Sequence, residues 1–219
     1  MFLPLFALFQ TAVAPAGPAP TYSGRAHQLE VRAPRLDDRV VIDGTLDEPA
    51  WSKAARLTDF SEYTPVDGLP AADSTVVLVW YSSDAMYFGI RAFEPHGPVH
   101  ATLADRDNIT ADDFVEVLLD TFDDHRRAYA FAVNPLGVQS DGILSEGIQS
   151  HSSGIGGAGT ARDTVDLSTD YTYQSRGRLV PGGYEVEIRI PLKSIRFQPG
   201  KDQRWGLNIV RDTRRTGYE

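Results

Sequence analysis

Residues 75–81 read T-V-V-L-V-W-Y and residues 86–93 read M-Y-F-G-I-R-A-F, separated by a turn through Ser82, Ser83 and Asp84. β-Branched and aromatic side chains suit a pleated surface, and Ser and Asp suit the turn, so this stretch predicts an antiparallel hairpin. Both arms are apolar at almost every position instead of alternating. Strands of this kind must be covered on both faces, at the centre of a layered structure or beneath long loops. Downstream, 114–120 alternates, with Val115, Val117 and Leu119 as the core face and Phe114, Glu116, Leu118 and Asp120 on the other. The turn at 123–127 leads into a partner strand, 129–133, which Asn134-Pro135 ends because proline cannot donate to a ladder. A short strand follows at 139–144. Residues 171–180 and 184–190 form a second hairpin across Pro181-Gly182-Gly183, then a helical turn at 191–195, and 205–210 closes the sheet. The glycine-rich run 152–160 reads as a loop. No repeat of 20–50 residues is present, which excludes propellers and solenoids. The expected fold is an all-β antiparallel sandwich of jelly-roll or immunoglobulin-like type with one or two short helical turns.

Ahead of the hairpin, residues 41–51 read V-I-D-G-T-L-D-E-P-A-W. Asp43-Gly44 fits a tight turn, since glycine tolerates positive φ and an Asp side chain can bond the backbone two residues on. Asp47 then reads as a helix N-cap, with Glu48 in the positive first turn and Pro49 near the start. Trp51 would face inward from that turn as a core plug closing the end of the sandwich.

The 219 residues suffice for one core and one domain. A formal charge of −9 argues against a nucleic-acid surface, which needs clustered Lys and Arg. With no Cys there are neither disulfides nor thiolate metal sites. Residues 1–14 are largely apolar and end in Ala-Val-Ala, as a secretory leader cleaved after Ala14 would, although no basic n-region precedes them. Residues 15–20 form a Pro-Ala-Gly linker, and 15–35 lead into the domain or supply a first strand.

Carboxylates crowd between Asp105 and Asp124, the oxygen-rich composition that Ca²⁺ uses, without the spacing of an EF-hand loop. As a glycosidase pair, Glu116 and Asp120 would stand ~13 Å apart along one strand face, beyond the roughly 5–10 Å that either glycosidase geometry needs. No intrinsic activity is marked, and the only enzyme class such carboxylates would serve is hydrolysis of O-glycosyl bonds. The five His show no zinc-enzyme spacing. Sugar binding calls for aromatic platforms and polar partners. Tyr63, Trp80, Tyr81 and Trp205 are the candidate platforms, with Arg106, Asn134, Gln139 and Asp141 as hydroxyl partners. Tyr171 and Tyr173 are further aromatics after the glycine loop, and Trp80 and Trp205 also fit strand cores.

The motifs at 43–51, 76–90, 106–124, 129–142, 182–197 and 205–215 together resemble carbohydrate-binding module family 9, a DOMON-like domain. The version most resembled lies ahead of an outer-membrane β-barrel in a bacterial family of unknown function, and the likeness covers residues 36–215. It implies a non-catalytic β-sandwich module that takes poly- or oligosaccharide and serves carbohydrate catabolism. It also implies structural Ca²⁺ among Asp112, Asp113, Asp120 and Asp123, and an exported chain in the periplasm or at the outer membrane. Residues 216–219 would begin a further C-terminal region. The sandwiching tryptophan pair of xylan-binding members has no counterpart here. The other reading left open is a periplasmic interaction or plug domain of a truncated barrel protein that binds no sugar, suggested by Arg211, Arg214 and Arg215.

Overall fold

The computed structural model describes residues 19–64, 66–145, 165–200 and 202–215. The leader at 1–14, most of the linker, the glycine-rich run at 152–160 and the terminal 216–219 lie outside the described residues.

Two sheets form the sandwich. The first, with six strands, comprises β1 (Thr21–Ser23), β2 (Ala55–Thr58), β3 (Thr75–Tyr81), β4 (Ala85–Phe93), β9 (Gln174–Val180) and β10 (Gly183–Pro191), in the order β1-β2-β3-β4-β10-β9. The second, with five, comprises β5 (Phe114–Asp120), β6 (Arg127–Val133), β7 (Gln139–Ser145), β8 (Val165–Asp166) and β11 (Gly206–Asp212), in the order β11-β5-β6-β7-β8. Every pairing is antiparallel except β1 with β2. A 3-10 turn, Leu192–Ser194, sits where the sequence predicts a helical turn. The core between the sheets holds Val77, Val79, Phe88, Ile90, Val115, Val117, Leu119, Phe131, Val186 and Ile188. The predicted core face of β5 is therefore the face that is buried against the other sheet.

The doubly apolar hairpin has its explanation in a strap. Residues 36–54 lie over the outer face of the six-stranded sheet, where Val40, Ile42, Leu46, Trp51 and Ala54 pack against Leu78, Trp80 and Tyr87. The contact is close enough to require a glycine beneath it: a Cβ at Gly89 would come within 2.7 Å of Leu46 and 2.9 Å of Trp51. Burying each large apolar side chain of this cluster stabilises the fold by roughly 1.5–3 kcal/mol. The turn into the strap follows expectation, with Gly44 at φ 91° and Thr45 N–H donating to Asp43 Oδ1 at 2.9 Å.

Two expectations are corrected. Helix α1 spans Pro49–Lys53 and its N-cap is Glu48, not Asp47. Glu48 does not cap with its side chain, because its carboxylate instead accepts from Trp51 Nε1 and Val41 N–H, each at 3.1 Å. The second hairpin starts at Gln174, not at 171. Tyr171 and Tyr173 turn to the opposite sheet, where Tyr173 Oη donates to the carbonyl of Ala132 at 2.9 Å.

Candidate functional site

Three of the residues named from sequence converge. Arg106 lies on the loop between β4 and β5, in a turn where Asn108 N–H donates to the carbonyl of Asp105 at 3.2 Å. The two-residue β8 pairs with β7 only at Ile143 and Leu144, which leaves the start of the β7 edge free. The Arg106 loop fills that edge. Asp107, left-handed at φ 65°, donates its N–H to the carbonyl of Gln139 at 2.9 Å, and its Oδ1 accepts the N–H of Asp141 at 3.1 Å. A carboxyl side chain thus continues the ladder that a longer β8 would have made.

This docking delivers the Arg106 guanidinium to a fan of acceptors. Nη1 donates to Gln139 Oε1 at 2.8 Å, while Nη2 donates to Asp141 Oδ1 and to the carbonyl of Tyr171 at 2.9 Å. The second oxygen of Asp141 accepts Tyr171 N–H at 2.5 Å, so one buried carboxylate fixes both the arginine and the tyrosine backbone. Gln139 Nε2 donates to the Tyr173 carbonyl at 3.2 Å and to Ser175 Oγ at 3.0 Å. The guanidinium also lies over the Tyr173 ring, 5.7 Å from its centre. Tyr171 packs edge-on against Tyr129 at 5.1 Å and remains half-buried.

The group is layered by burial. Asp141 is 0% exposed, the Arg106 side chain 36% and the Asp170 side chain 75%, with Asp170 3.6 Å from Arg106 Nε. Burial pushes the Asp141 carboxyl above its ordinary range, against the lowering effect of the Tyr171 N–H and the Arg106 charge. Burial likewise raises the Tyr171 and Tyr173 hydroxyls, so both rings stay neutral at physiological pH. Three carboxylates surround one guanidinium, counting Asp107 at 4.0 Å. Such a surface suits a neutral ligand rich in hydroxyls, for which Asp170 and the outward edge of Arg106 supply acceptor and donor beside a half-exposed aromatic ring. Asp107 and Asp170 are partners that sequence reasoning did not assign to Arg106. The left-handed tendency of an Asp inside R-D-N was the available sign for the first.

The other five named residues stand elsewhere. Trp80 is 0% exposed, stacked on Tyr87 at 3.8 Å and edge-on to Trp51 at 6.0 Å, so it is a core residue and no platform. Asn134 is also 0% exposed and staples its own loop, accepting from Leu136 and Val138 N–H and donating to Asp112, because a chain reversal at a proline leaves those backbone groups without ladder partners. Trp205 is half-buried against Phe197 at 5.4 Å. Tyr81, 37% exposed, ends β3, where its backbone bonds Pro34 and Leu36. Tyr63, 47% exposed, stands in the loop that leads to β3.

The four carboxylates expected to hold Ca²⁺ do not form one cage. Asp112 and Asp113 precede β5 and Asp120 closes it, so Asp113 and Asp120 are ~23 Å apart along the strand. Each is also oriented by donors of its own neighbourhood: Asp112 by Thr102 and Asn134, Asp113 by the N–H groups of His100 and Arg214, Asp120 by those of Phe122 and His125. Asp123 pairs with Arg204 at 3.4 Å. Among the described residues no group of three or more His, Cys, Asp or Glu is placed to hold a metal. This set does not fit the ion, which needs six to eight converging oxygens.

Comparison with known proteins agrees with this fold. A carbohydrate-binding module family 9 from Caldicellulosiruptor kristjanssonii, in complex with cellotriose, superposes with a TM-score of 0.51 at 16% identity, covering 87% of this chain and 74% of that one. Its complex with glucose gives 0.50 at 17% identity, covering 80% and 76%. A candidate carbohydrate-binding protein from Bacteroides uniformis gives 0.53 at 13% identity, covering 89% and 84%. Among curated proteins no sequence matches the chain. The profile of the carbohydrate family 9 binding domain-like family, however, matches residues 42–217, from the Asp43-Gly44 turn to just past β11, and the chain belongs to that family.

Proposed function

We propose that this chain is a carbohydrate-binding module whose site is the Arg106, Gln139, Asp141 and Tyr171 group, and that its ligand is a neutral oligosaccharide. The observation that carries the reading is the convergence of these side chains, at the β7 edge that the Asp107 loop fills, on a partly exposed guanidinium in a member of this family. The two superposed structures with cellotriose and glucose support the choice of a glucose-type ligand. The module acts by holding: Arg106 and Asp170 meet hydroxyls, and the Tyr171 ring takes the apolar face of a pyranose. Affinity is modest, since a shallow surface site buries little ligand surface and a ring stack adds about 1 kcal/mol.

Calorimetric titration with cellotriose tests this. Wild-type protein binds saturably and the sugar is recovered intact. Arg106→Ala weakens binding about tenfold or more, a loss of at least ~1.4 kcal/mol, and lowers the melting temperature because it unpairs the buried Asp141, so affinity is read at a temperature where the variant is folded. Unchanged affinity in a folded Arg106→Ala protein refutes the assignment.

A further inference from the structure

The outer face of the five-stranded sheet carries a concavity of about 490 Å³, lined by Leu118, Asp120, His125, Arg126, Ala128 and Asn208 among others. We propose that this concavity is a second binding site, taking a hydroxylated carboxylate of the uronic acid class. The register explains the hollow. Leu118 pairs with Ala130 on one side and Asn208 on the other, Asp120 pairs with Gly206, and Ala128 pairs with Leu144. Small residues on β6 and at the start of β11 therefore lie between larger leucines, leaving a trough whose floor is apolar. Leu118 and Ala130 are buried in that floor, and the part-exposed Ala128 and Leu144 are the portion that receives the C–H face of a sugar ring.

The rim supplies polar groups of both kinds. Asp120 is held rigidly, accepting Phe122 N–H at 3.1 Å and His125 N–H at 2.7 Å. A carboxylate offers about four lone-pair positions, so acceptor capacity remains for ligand hydroxyls. Asn208 is exposed and adds an amide. Arg126 precedes β6 in phase with Ala128 and Ala130, the outer-face residues, and its backbone is pinned by Asp124 at 2.9 Å. Arg127 also lines the concavity. Among the described residues neither guanidinium has a carboxylate partner, and Asp123 is committed to Arg204. This is the reverse of the Arg106 group, where three carboxylates outnumber one cation. In a chain of net charge −9, two arginines with no ion pair among the described residues stand on a rim whose one carboxylate, Asp120, is held by the backbone N–H groups of Phe122 and His125, which leaves the charge facing the guanidinium groups to be brought by the ligand. A guanidinium meets a carboxylate with paired, charge-assisted hydrogen bonds.

The test uses the full chain, titrated with glucuronate and followed by amide NMR shifts, with glucose and acetate as neutral and charge-only controls. Glucuronate binds saturably, shifts residues of the concavity and outcompetes both controls. The double variant Arg126→Gln, Arg127→Gln loses about tenfold or more in glucuronate affinity. Arg106→Ala leaves glucuronate binding unchanged while weakening cellotriose, so the two sites fail or stand separately. A glucuronate-bearing trisaccharide that binds more tightly than the monomer marks a polymer as the source, whereas equal affinity marks the free acid. The proposal is overturned if the double variant binds glucuronate as tightly as wild type, if acetate binds as well as glucuronate, or if glucuronate does not saturate.

Discussion

Glu187, on β10, is the anchor of the strap, and its protonation makes the strap's grip depend on pH. Its Oε2 accepts the N–H groups of Asp43 and Gly44 at 2.7 Å each, and its Oε1 accepts Trp51 Nε1 at 3.1 Å. The same indole N–H also faces Glu48 at 3.1 Å, so two carboxylates share one donor. Burial pushes the Glu187 carboxyl up to about 7 from an ordinary 4.5, with the charges of Glu48 and Asp43 acting in the same direction and the backbone donors opposing. That rise corresponds to about 3 kcal/mol in favour of the protonated form. The folded chain therefore keeps a proton that the unfolded chain releases above about 4.5. This contribution is fully present below that pH and declines as pH rises towards about 7. Glu187→Gln cannot ionise. Urea unfolding of both proteins at a series of pH values, followed by tryptophan fluorescence, measures the difference, in which the other titrating groups largely cancel. Wild-type stability relative to Glu187→Gln should fall by about 3 kcal/mol between pH 4.5 and pH 8. A difference that stays constant to within about 0.5 kcal/mol, or that grows with pH, refutes the reasoning.

Trp80→Ala should cost about 3–5 kcal/mol in unfolding experiments, since the ring is buried between Trp51 and Tyr87. Trp80→Phe should cost much less, because it also removes a buried Nε1 that has no acceptor among the described residues. Gly89→Ala should cost about 1–3 kcal/mol by forcing Leu46 and Trp51 off the sheet, seen as a lower urea midpoint and altered tryptophan emission. Calcium and chelator should leave the melting temperature unchanged, since the candidate carboxylates are split between two ends of β5 and held by protein donors; a rise with calcium would show that the ion finds another ligand set.

Most of the sandwich was legible in the chain because its longer strands carry their own apolar patterns and its turns their own residues, whereas β2 and β8, four and two residues long, are too short to carry a pattern. The hairpin at 75–93, the core face of β5 and the Asp43-Gly44 turn are local patterns, and local sterics and burial enforce them. The site was legible only in part. Arg106, Gln139 and Asp141 could be named as polar partners, yet 33 positions separate Arg106 from Gln139, and only the docking of the Asp107 loop on the β7 edge brings them together. Trp80 and Trp205 read identically from composition, and packing alone separates a sealed core ring from a half-buried one.

Sequence by itself determined most strands and their turns, because these follow from apolar patterning and backbone preference over a few residues, and it marked the family through the motifs that the chain shares with it. Tertiary structure decided which carboxylates meet and which stay apart, which aromatic rings reach solvent, and which arginines keep a counter-ion. Those outcomes depend on distances between segments remote in the chain, fixed only when the two sheets and the strap close on one another.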